Sequence, residues 1–219
     1  MAKTNMTPES RRKAVRVTTA GLGIAAALAG LVGLARWFEG VWEGEPYPVA
    51  DPAATSRHLD ERSQAVYDAL ALPDARLDTK RSGPRAYTDA YTCDRRGLRT
   101  LSDALDPSPP SEPHVVSVTY DWTLRDVPRA RAVTALAHAR RELTRQGWKV
   151  AEHQNDRYGL ELSMRPPRDG TSVAITAYPG GRLEVSAYAG CARYPEGTPM
   201  DIDGEPELAA MRAPVQLRG

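Results

Sequence analysis

The sequence predicts an α+β protein: an N-terminal transmembrane helix followed by an extracytoplasmic domain with a mainly antiparallel sheet. Three observations lead to this expectation. An uncharged stretch of 19 residues lies near the start, five later segments alternate apolar and polar residues, and one amphipathic segment follows the first of them. The predicted element order of the domain is β-α-β-β-β-β, with the helix covering one face of the sheet.

Composition is ordinary, but charge is distributed unevenly. The chain has 219 residues, of which 41% are hydrophobic and 26% are charged. Residues 1–36 carry six Lys or Arg and one acid, whereas residues 37–219 carry 23 Lys or Arg and 27 acids. The overall net charge of +1 gives no basic field of the kind that predicts nucleic-acid binding.

The uncharged stretch, residues 17–35, is predicted to cross a membrane. As a helix it would rise about 28 Å, close to the roughly 30 Å thickness of a hydrocarbon core. Basic residues precede it and acidic residues follow Arg36, so the positive-inside rule places residues 1–16 in the cytoplasm and the domain outside. Aromatic residues follow at the expected headgroup level: Trp37, Phe38, Trp42 and Tyr47. With this boundary the predicted span is 17–38.

Three other interpretations of the stretch stay open. Ala27-Leu28-Ala29 has the form of a signal-peptidase site, and cleavage there would secrete the domain with a start near Gly30. Ser10-Arg11-Arg12 resembles part of a twin-arginine signal, and a buried helix of a soluble protein is the third alternative.

Small residues recur at every fourth position: Gly21, Ala25, Ala29 and Gly33. Such a row would let two spans associate.

Composition also predicts the organisation outside the membrane. Residues 39–55 are acidic and contain three prolines, as is typical of an extended tether. Residues 56–195 are predicted to form the domain, and residues 196–219 a flexible tail rich in Pro, Gly and acids. Alternatively, the apolar residues of the tail fold back onto the domain: Leu208, Met211, Val215 and Leu217.

The first part of the domain has weaker patterns. Apolar spacing predicts a helix over 56–72 that Pro73 ends. One face of this helix would hold Leu59, Ser63, Val66 and Leu70. A short apolar stretch over 87–93 indicates a strand, and residues 98–105 are predicted as a short helix that ends at a Pro-rich segment.

The second part is clearer. Alternation over 116–124 predicts a half-buried strand, and Asp126, Pro128 and Gly147 supply the start and stop chemistry of a helix. Apolar residues recur in that helix at Ala130, Val133, Leu136, Ala137 and Leu143. Its arginines fall largely on the other faces, which predicts a solvated surface: Arg129, Arg131, Arg140, Arg141 and Arg145.

Four more strands are predicted as an antiparallel meander, since short turns join them. They cover about 148–153, 160–164, 173–177 and 183–189. Clean alternation predicts that the face away from the helix is wet. That face, our candidate binding face, would hold Thr119, Asp121, Thr123, Glu161, Ser163, Thr176, Tyr178, Glu184, Ser186 and Tyr188. Its tyrosines and hydroxyls suit a polymer or protein partner, and the alternative is an ordinary solvated face.

Cys93 and Cys191 are the two cysteines of the chain. An extracytoplasmic domain permits them to pair, so we predict a disulfide between the segment before the sheet and the end of the last strand. Two buried free thiols are the alternative. A zinc site is not expected, because neither cysteine has neighbours at ligand spacing.

The sequence contains no recognisable catalytic or cofactor motif. A G-x-S-x-G elbow, a Walker loop and a G-x-G-x-x-G after a strand are all absent. The four histidines, at 58, 114, 138 and 153, form no metal-ligand pattern. We therefore expect no cofactor, no bound metal and no catalytic residue.

Some segments of the chain match a known type of protein. They are the basic start with its single span, Trp122-Thr123-Leu124, Gly147-Trp148, and Gly190-Cys191-Ala192-Arg193-Tyr194-Pro195-Glu196-Gly197-Thr198. Together with 25 Arg against 4 Lys and abundant Ala, they resemble an exported or membrane-anchored protein family of high-GC actinobacteria. The resemblance covers roughly residues 93–198 and the anchor. Its motifs are structural, so it implies no catalytic residue.

The sequence thus favours a single-pass membrane protein with a non-catalytic binding, assembly or accessory role at the cell envelope. Its expected partners are the membrane and an envelope polymer or protein, and not nucleic acid. The alternative is a membrane-anchored hydrolase acting on envelope polymers. Two carboxyl groups about 5–10 Å apart in a groove would favour that enzyme, whereas a shallow sheet face would favour binding.

Overall fold

The structure is a computed structural model that describes residues 36–38, 40–79, 84–157, 159–167 and 170–218. Of the predicted span over 17–38, residues 17–35 lie outside the described residues. In the described part of the chain, no helix is long and apolar enough to cross a membrane. Two compact units are present. The N-terminal unit combines the chain up to Pro46 with Arg95–Pro109, and the sheet domain combines Tyr47–Asp94 with Pro110–Gly219.

The sheet domain contains one antiparallel sheet of seven strands in the described chain. The strands are β1 (Arg76–Leu77), β2 (Arg85–Asp89), β3 (Val115–Arg125), β4 (Lys149–Asn155), β5 (Leu160–Arg165), β6 (Thr171–Tyr178) and β7 (Arg182–Arg193). Their order is β1-β3-β7-β6-β5-β4, and β2 also pairs with β3. The α+β class and the four-strand meander are confirmed, while β1 and β2 extend the sheet beyond the predicted five strands.

Strand β3 is buried on both faces and not on one. Ten of its eleven residues are buried, although its sequence alternates. The reason is its position, because β3 lies between β7 on one side and the short strands β1 and β2 on the other. Thr119 has Tyr87 and Tyr188 as its cross-strand neighbours, and Thr123 has Glu184. Longer side chains therefore flank the short polar side chains of β3.

Helix α1 (Pro52–Leu70) begins inside the stretch predicted as tether. The Asp51 carboxylate caps it by accepting hydrogen bonds from the Ala53 and Ala54 nitrogens, at 3.1 and 3.2 Å. Pro52 at the first helical position lacks an N–H that would otherwise need a partner. The predicted inner face is buried, as expected: Leu59, Ser63, Val66 and Leu70.

Helix α2 (Arg129–Arg145) has nearly the predicted limits but a different buried stripe. Gly147, with a φ of 88°, follows it as the expected C′ residue. The buried residues are Ala132, Ala135, Leu136, Ala139 and Leu143. Ala130 and Ala137 are exposed, and Val133 is half-buried. An alanine-rich helix offers several weakly apolar stripes, and packing against the sheet decides which of them is buried.

The core lies between the two helices and one face of the sheet. Tyr67 on α1 packs edge-on against Trp122 on β3, with ring centroids 5.8 Å apart. His138 on α2 places Nδ1 at 2.8 Å from the Ala69 carbonyl oxygen of α1. Both helices therefore belong to one layer, where the sequence predicts a single covering helix.

The described C-terminal residues, up to 218, make contacts with α1, in agreement with the alternative in which the apolar residues of the tail fold back onto the domain. The Ala209 nitrogen donates to Ser56 Oγ at 3.1 Å, and the Val215 nitrogen donates to Gln64 Oε1 at 2.8 Å. Three tail side chains are partly buried against the core: Leu208, Met211 and Leu217. The apolar side chains of the tail thereby remove part of their surface from water.

Cys93 and Cys191 form a disulfide, as predicted, with their Cα atoms 5.7 Å apart. Cys93 is fully buried and follows β2, whereas Cys191 lies near the end of β7. The bond closes a sequence separation of 98 residues. It therefore fixes the loop that follows β2 to the far end of the longest strand.

Candidate binding surfaces

The ten residues of the candidate binding face do share one face of the sheet. Cross-strand register aligns them in rows across β3, β7, β6 and β5. One row is Thr123, Glu184, Thr176 and Glu161; the next is Asp121, Ser186, Ala174 and Ser163; the third begins with Thr119 and Tyr188. Tyr178 lies at the end of β6, opposite Arg182. We call this surface the polar face.

Accessibility divides the polar face into two parts. Tyr178 and Tyr188 are each 37% exposed, and the members on β5, β6 and β7 are otherwise half-buried: Glu161, Ser163, Thr176, Glu184 and Ser186. Thr119, Asp121 and Thr123 are buried, with 2 to 8% exposure, so the expectation that they are open to a partner is wrong. Their flanking strands bring longer side chains beside them.

Tyr87 belongs to the polar face, although the sequence does not identify it. It lies on β2 opposite Thr119 and is 40% exposed. The sequence indicates a strand beginning at residue 87, but the pairing of that strand with β3 is a tertiary contact. The strand pattern alone therefore suggests an aromatic residue in the sheet, without assigning it to a face.

Asp121 is a buried charge with an incomplete set of partners. Arg85 Nη2 lies 3.5 Å from Asp121 Oδ2, and the Asp121 side chain is only 9% exposed. The other oxygen, Oδ1, is buried and has no hydrogen-bond partner among the residues that the structure describes. An unsatisfied buried oxygen costs free energy, so its presence marks this position for a functional explanation.

Two arginine side chains make cation–π contacts with tyrosines of the polar face. The Arg182 guanidinium carbon lies 4.7 Å from the Tyr178 ring centroid, and that of Arg85 lies 5.5 Å from the Tyr87 centroid. Burial raises the pKa of Tyr178, and the nearby Glu184 carboxylate raises that pKa further. The Tyr178 hydroxyl therefore stays protonated at neutral pH and can donate a hydrogen bond.

A second surface, which the sequence does not predict, is a cleft of about 730 Å³ between α2 and β4. Its apolar lining consists of Val133, Ala137, Val150 and Leu160, and its basic lining of Arg140, Arg141, Arg145 and His153. Strand β4 is at the edge of the sheet, and six of its seven residues are exposed. The sequence correctly places these arginines away from the core, but it does not predict the cleft that they line together with β4.

The histidines have individual contacts. His114 packs against Tyr194 with ring centroids 5.5 Å apart, and His58 Nδ1 lies 3.6 Å from a carboxylate oxygen of Glu61. Within the described ranges, no group of three or more His, Cys, Asp or Glu residues is arranged to hold a metal ion.

Comparison with protein-family models, with curated proteins and with solved structures finds no match to this chain. The resemblance to actinobacterial envelope proteins stays a prediction.

Proposed function

We propose that this chain is a single-pass membrane protein whose extracytoplasmic sheet domain binds an envelope polymer through the polar face, without catalysing a reaction. One observation supports this above the others. Both helices of the sheet domain pack on the same side of the sheet, while the opposite side presents half-exposed tyrosines among hydroxyls and carboxylates: Tyr87, Tyr178 and Tyr188.

The chemistry of the polar face suits a glycan. Tyrosine rings offer flat apolar surfaces on which sugar rings can lie, and their hydroxyls can donate or accept hydrogen bonds. Carboxylates such as Glu161 and Glu184 accept hydrogen bonds from sugar hydroxyls. Neighbouring residues within a row are one strand spacing apart, about 4.8 Å. The row Thr123, Glu184, Thr176 and Glu161 alternates hydroxyl and carboxylate, so similar contacts recur along it, which favours a repeating polymer over one small molecule.

Attachment to a membrane is supported by the sequence on both sides of the predicted span. Six basic residues up to Arg36 precede an acidic remainder, which favours a cytoplasmic N-terminus. Trp37, Phe38 and Trp42 are all exposed, as interfacial aromatic residues are. The Cys93–Cys191 disulfide is compatible with an oxidising compartment outside the cytoplasm.

Co-sedimentation of the detergent-solubilised full chain with purified bacterial cell-wall glycan tests the binding proposal. Replacing Tyr178 and Tyr188 together by Ala should weaken binding at least about tenfold, since aromatic contacts dominate many interfaces. Tyr91→Ala is the matched control, because Tyr91 is almost fully exposed but lies outside the strands. Equal binding by all three proteins would refute the glycan site. Absence of glycan binding, with cross-linking of the polar face to one envelope protein, would assign it a protein partner.

The arrangement of two carboxylates keeps a glycan hydrolase as the second candidate. Glu161 and Glu184 are the neighbours of Thr176 on its two sides, so their Cα atoms are two strand spacings apart, about 10 Å. From these Cα positions, two glutamate side chains can reach the carboxyl separation of roughly 6.5–9.5 Å that inverting glycosidases use. A hydrolase would release soluble sugar from the glycan and lose this activity in Glu184→Gln, whereas a binding domain would retain the glycan intact.

A further inference from the structure

The N-terminal unit has an unusual concentration of exposed apolar side chains. Among its described residues, seven large ones are exposed: Trp37, Phe38, Val41, Trp42, Leu98, Leu101 and Leu105. The described part of the sheet domain, which is several times larger, exposes nine. So many exposed apolar side chains in so small a unit are typical of a surface that binds another protein or a membrane.

Four of these side chains follow the predicted span directly, but the three leucines come from a segment more than fifty residues later in the chain. Residues 98–100 and 103–105 form two 3₁₀ turns, where the sequence predicts one short helix. Leu105 is 84% exposed and Leu101 is 62% exposed. The side chains of these leucines are therefore largely outside any protein core.

Two glycines hold this later segment against the chain that follows the span. Gly44 has a φ of 80° and Gly97 a φ of 95°. A Cβ atom on Gly97 would lie 2.3 Å from the Trp42 carbonyl oxygen, so only glycine allows the two backbones to meet in this way. The contact fixes the two segments together at the level of the backbone.

Polar contacts reinforce the same junction. Arg99 Nη1 lies 3.0 Å from Glu43 Oε2, and Arg96 Nη1 donates to the Glu45 carbonyl oxygen at 3.1 Å. Gly44 follows the end of the uncharged stretch, residue 35, by only nine residues. At about 1.5 Å per helical residue, this distance is roughly 14 Å, so the leucine segment is fastened close to where lipid is expected.

We propose that Leu98, Leu101 and Leu105 insert into the headgroup region of the outer lipid leaflet, beside the aromatic residues that follow the span. The N-terminal unit is then a membrane-docking element, and its partner is the bilayer itself. Leucine together with Trp and Phe, with arginine nearby, is the composition of interfacial protein segments. This inference rests on the proposed membrane anchor, because the span brings the unit to the lipid surface.

Spin labelling of the full chain in vesicles tests the insertion. The native cysteines are joined in the disulfide, so Leu101→Cys and Leu105→Cys each introduce one free thiol. The variants are labelled with a nitroxide and reconstituted in vesicles of phosphatidylcholine and phosphatidylglycerol. Collision with oxygen, which concentrates in lipid, is then compared with collision with a water-soluble nickel chelate. Ile202→Cys is the matched control, because Ile202 is an equally exposed apolar residue of the sheet domain.

We expect labels at 101 and 105 to favour oxygen several-fold more than the label at 202 does. Labels at 101 and 105 that behave like the label at 202, on a chain that floats with the vesicles, would overturn docking and leave the anchor intact. A chain that does not float with the vesicles would overturn the anchor and docking together. Spin–spin broadening between labels at 101, without preference for oxygen, would assign the leucines to a second copy and overturn lipid docking.

Discussion

Gly44 and Gly97 meet backbone to backbone: a Cβ atom on Gly44 would lie 2.6 Å from the Gly97 nitrogen. The two residues belong to segments that the sequence places more than fifty residues apart. This contact decides whether Leu98 and its neighbours stay beside the chain that leaves the predicted span. It is therefore the point at which the N-terminal unit is most sensitive to substitution.

Gly97→Ala should open the N-terminal unit. The new methyl group would overlap backbone atoms, and Gly97 also has a positive φ that disfavours alanine. We expect amide hydrogens of residues 98–105 to exchange faster, while those of β3 and β7 do not change. Gly197→Ala is the control, since Gly197 has a φ of 79° but nothing within 4 Å of an added Cβ. Equal exchange in the two variants would show that the contact does not hold the segment.

Two buried serines of α1 should respond to alanine in opposite directions. Ser63 Oγ is buried without a hydrogen-bond partner, whereas Ser56 Oγ accepts from the Ala209 nitrogen and donates to the Ala53 carbonyl oxygen. Ser63→Ala should raise the free energy of unfolding by up to about 1 kcal/mol, and Ser56→Ala should lower it by about 1–2 kcal/mol. Urea denaturation measures both values. A loss of stability in Ser63→Ala equal to that in Ser56→Ala would contradict the assignment of partners.

Removal of the disulfide should be costly because it closes a long loop. With a sequence separation of 98 between Cys93 and Cys191, loop entropy predicts a loss of up to about 4–5 kcal/mol in the free energy of unfolding. The double variant Cys93→Ser, Cys191→Ser and the reduced wild-type chain should lose similar amounts in urea denaturation. No loss in either protein would show that the bond is not formed or does not constrain the unfolded chain.

Asp60 should make the sheet domain less stable as pH rises. Burial raises the pKa of Asp60 above its ordinary 3.8, although the nearby Arg218 charge opposes the shift. Between 3.8 and the raised value, the folded chain binds a proton that the unfolded chain has lost, so the free energy of unfolding falls with increasing pH. Asp60→Asn removes this contribution. Urea denaturation of both proteins from pH 3.5 to 7 should show wild type losing stability relative to the variant across that window, and parallel curves would contradict it.

The meander from β4 to β7 could be predicted because the sequence patterns that specify it involve residues close together in the chain. Alternation, turn residues and the C′ glycine after α2 all act between neighbours in sequence. The rows of the polar face follow from the same alternation. The burial of Asp121 could not be predicted, since it depends on β2, a strand that meets β3 only in the folded chain.

The cleft beside α2 and the contact between the two glycines could not be predicted, because both form only through tertiary contacts. Arg140 and Arg141 are on the outer side of α2, as the helical pattern predicts, but the cleft beside them requires β4 to lie where it does. The contact of Gly44 with Gly97 leaves no periodic pattern either. An isolated glycine indicates a turn as readily as a close approach of two backbones.

Binding of an envelope polymer requires the sheet domain to lie on the outer side of the membrane. Intact cells that produce Ile202→Cys or Thr7→Cys can be treated with a membrane-impermeant maleimide, before or after lysis. Residue 202 should be labelled in intact cells, because it is fully exposed and predicted to lie outside, whereas residue 7 should be labelled only after lysis. Protection of residue 202 until the cells are lysed would place the domain in the cytoplasm and contradict the anchored envelope protein proposed here.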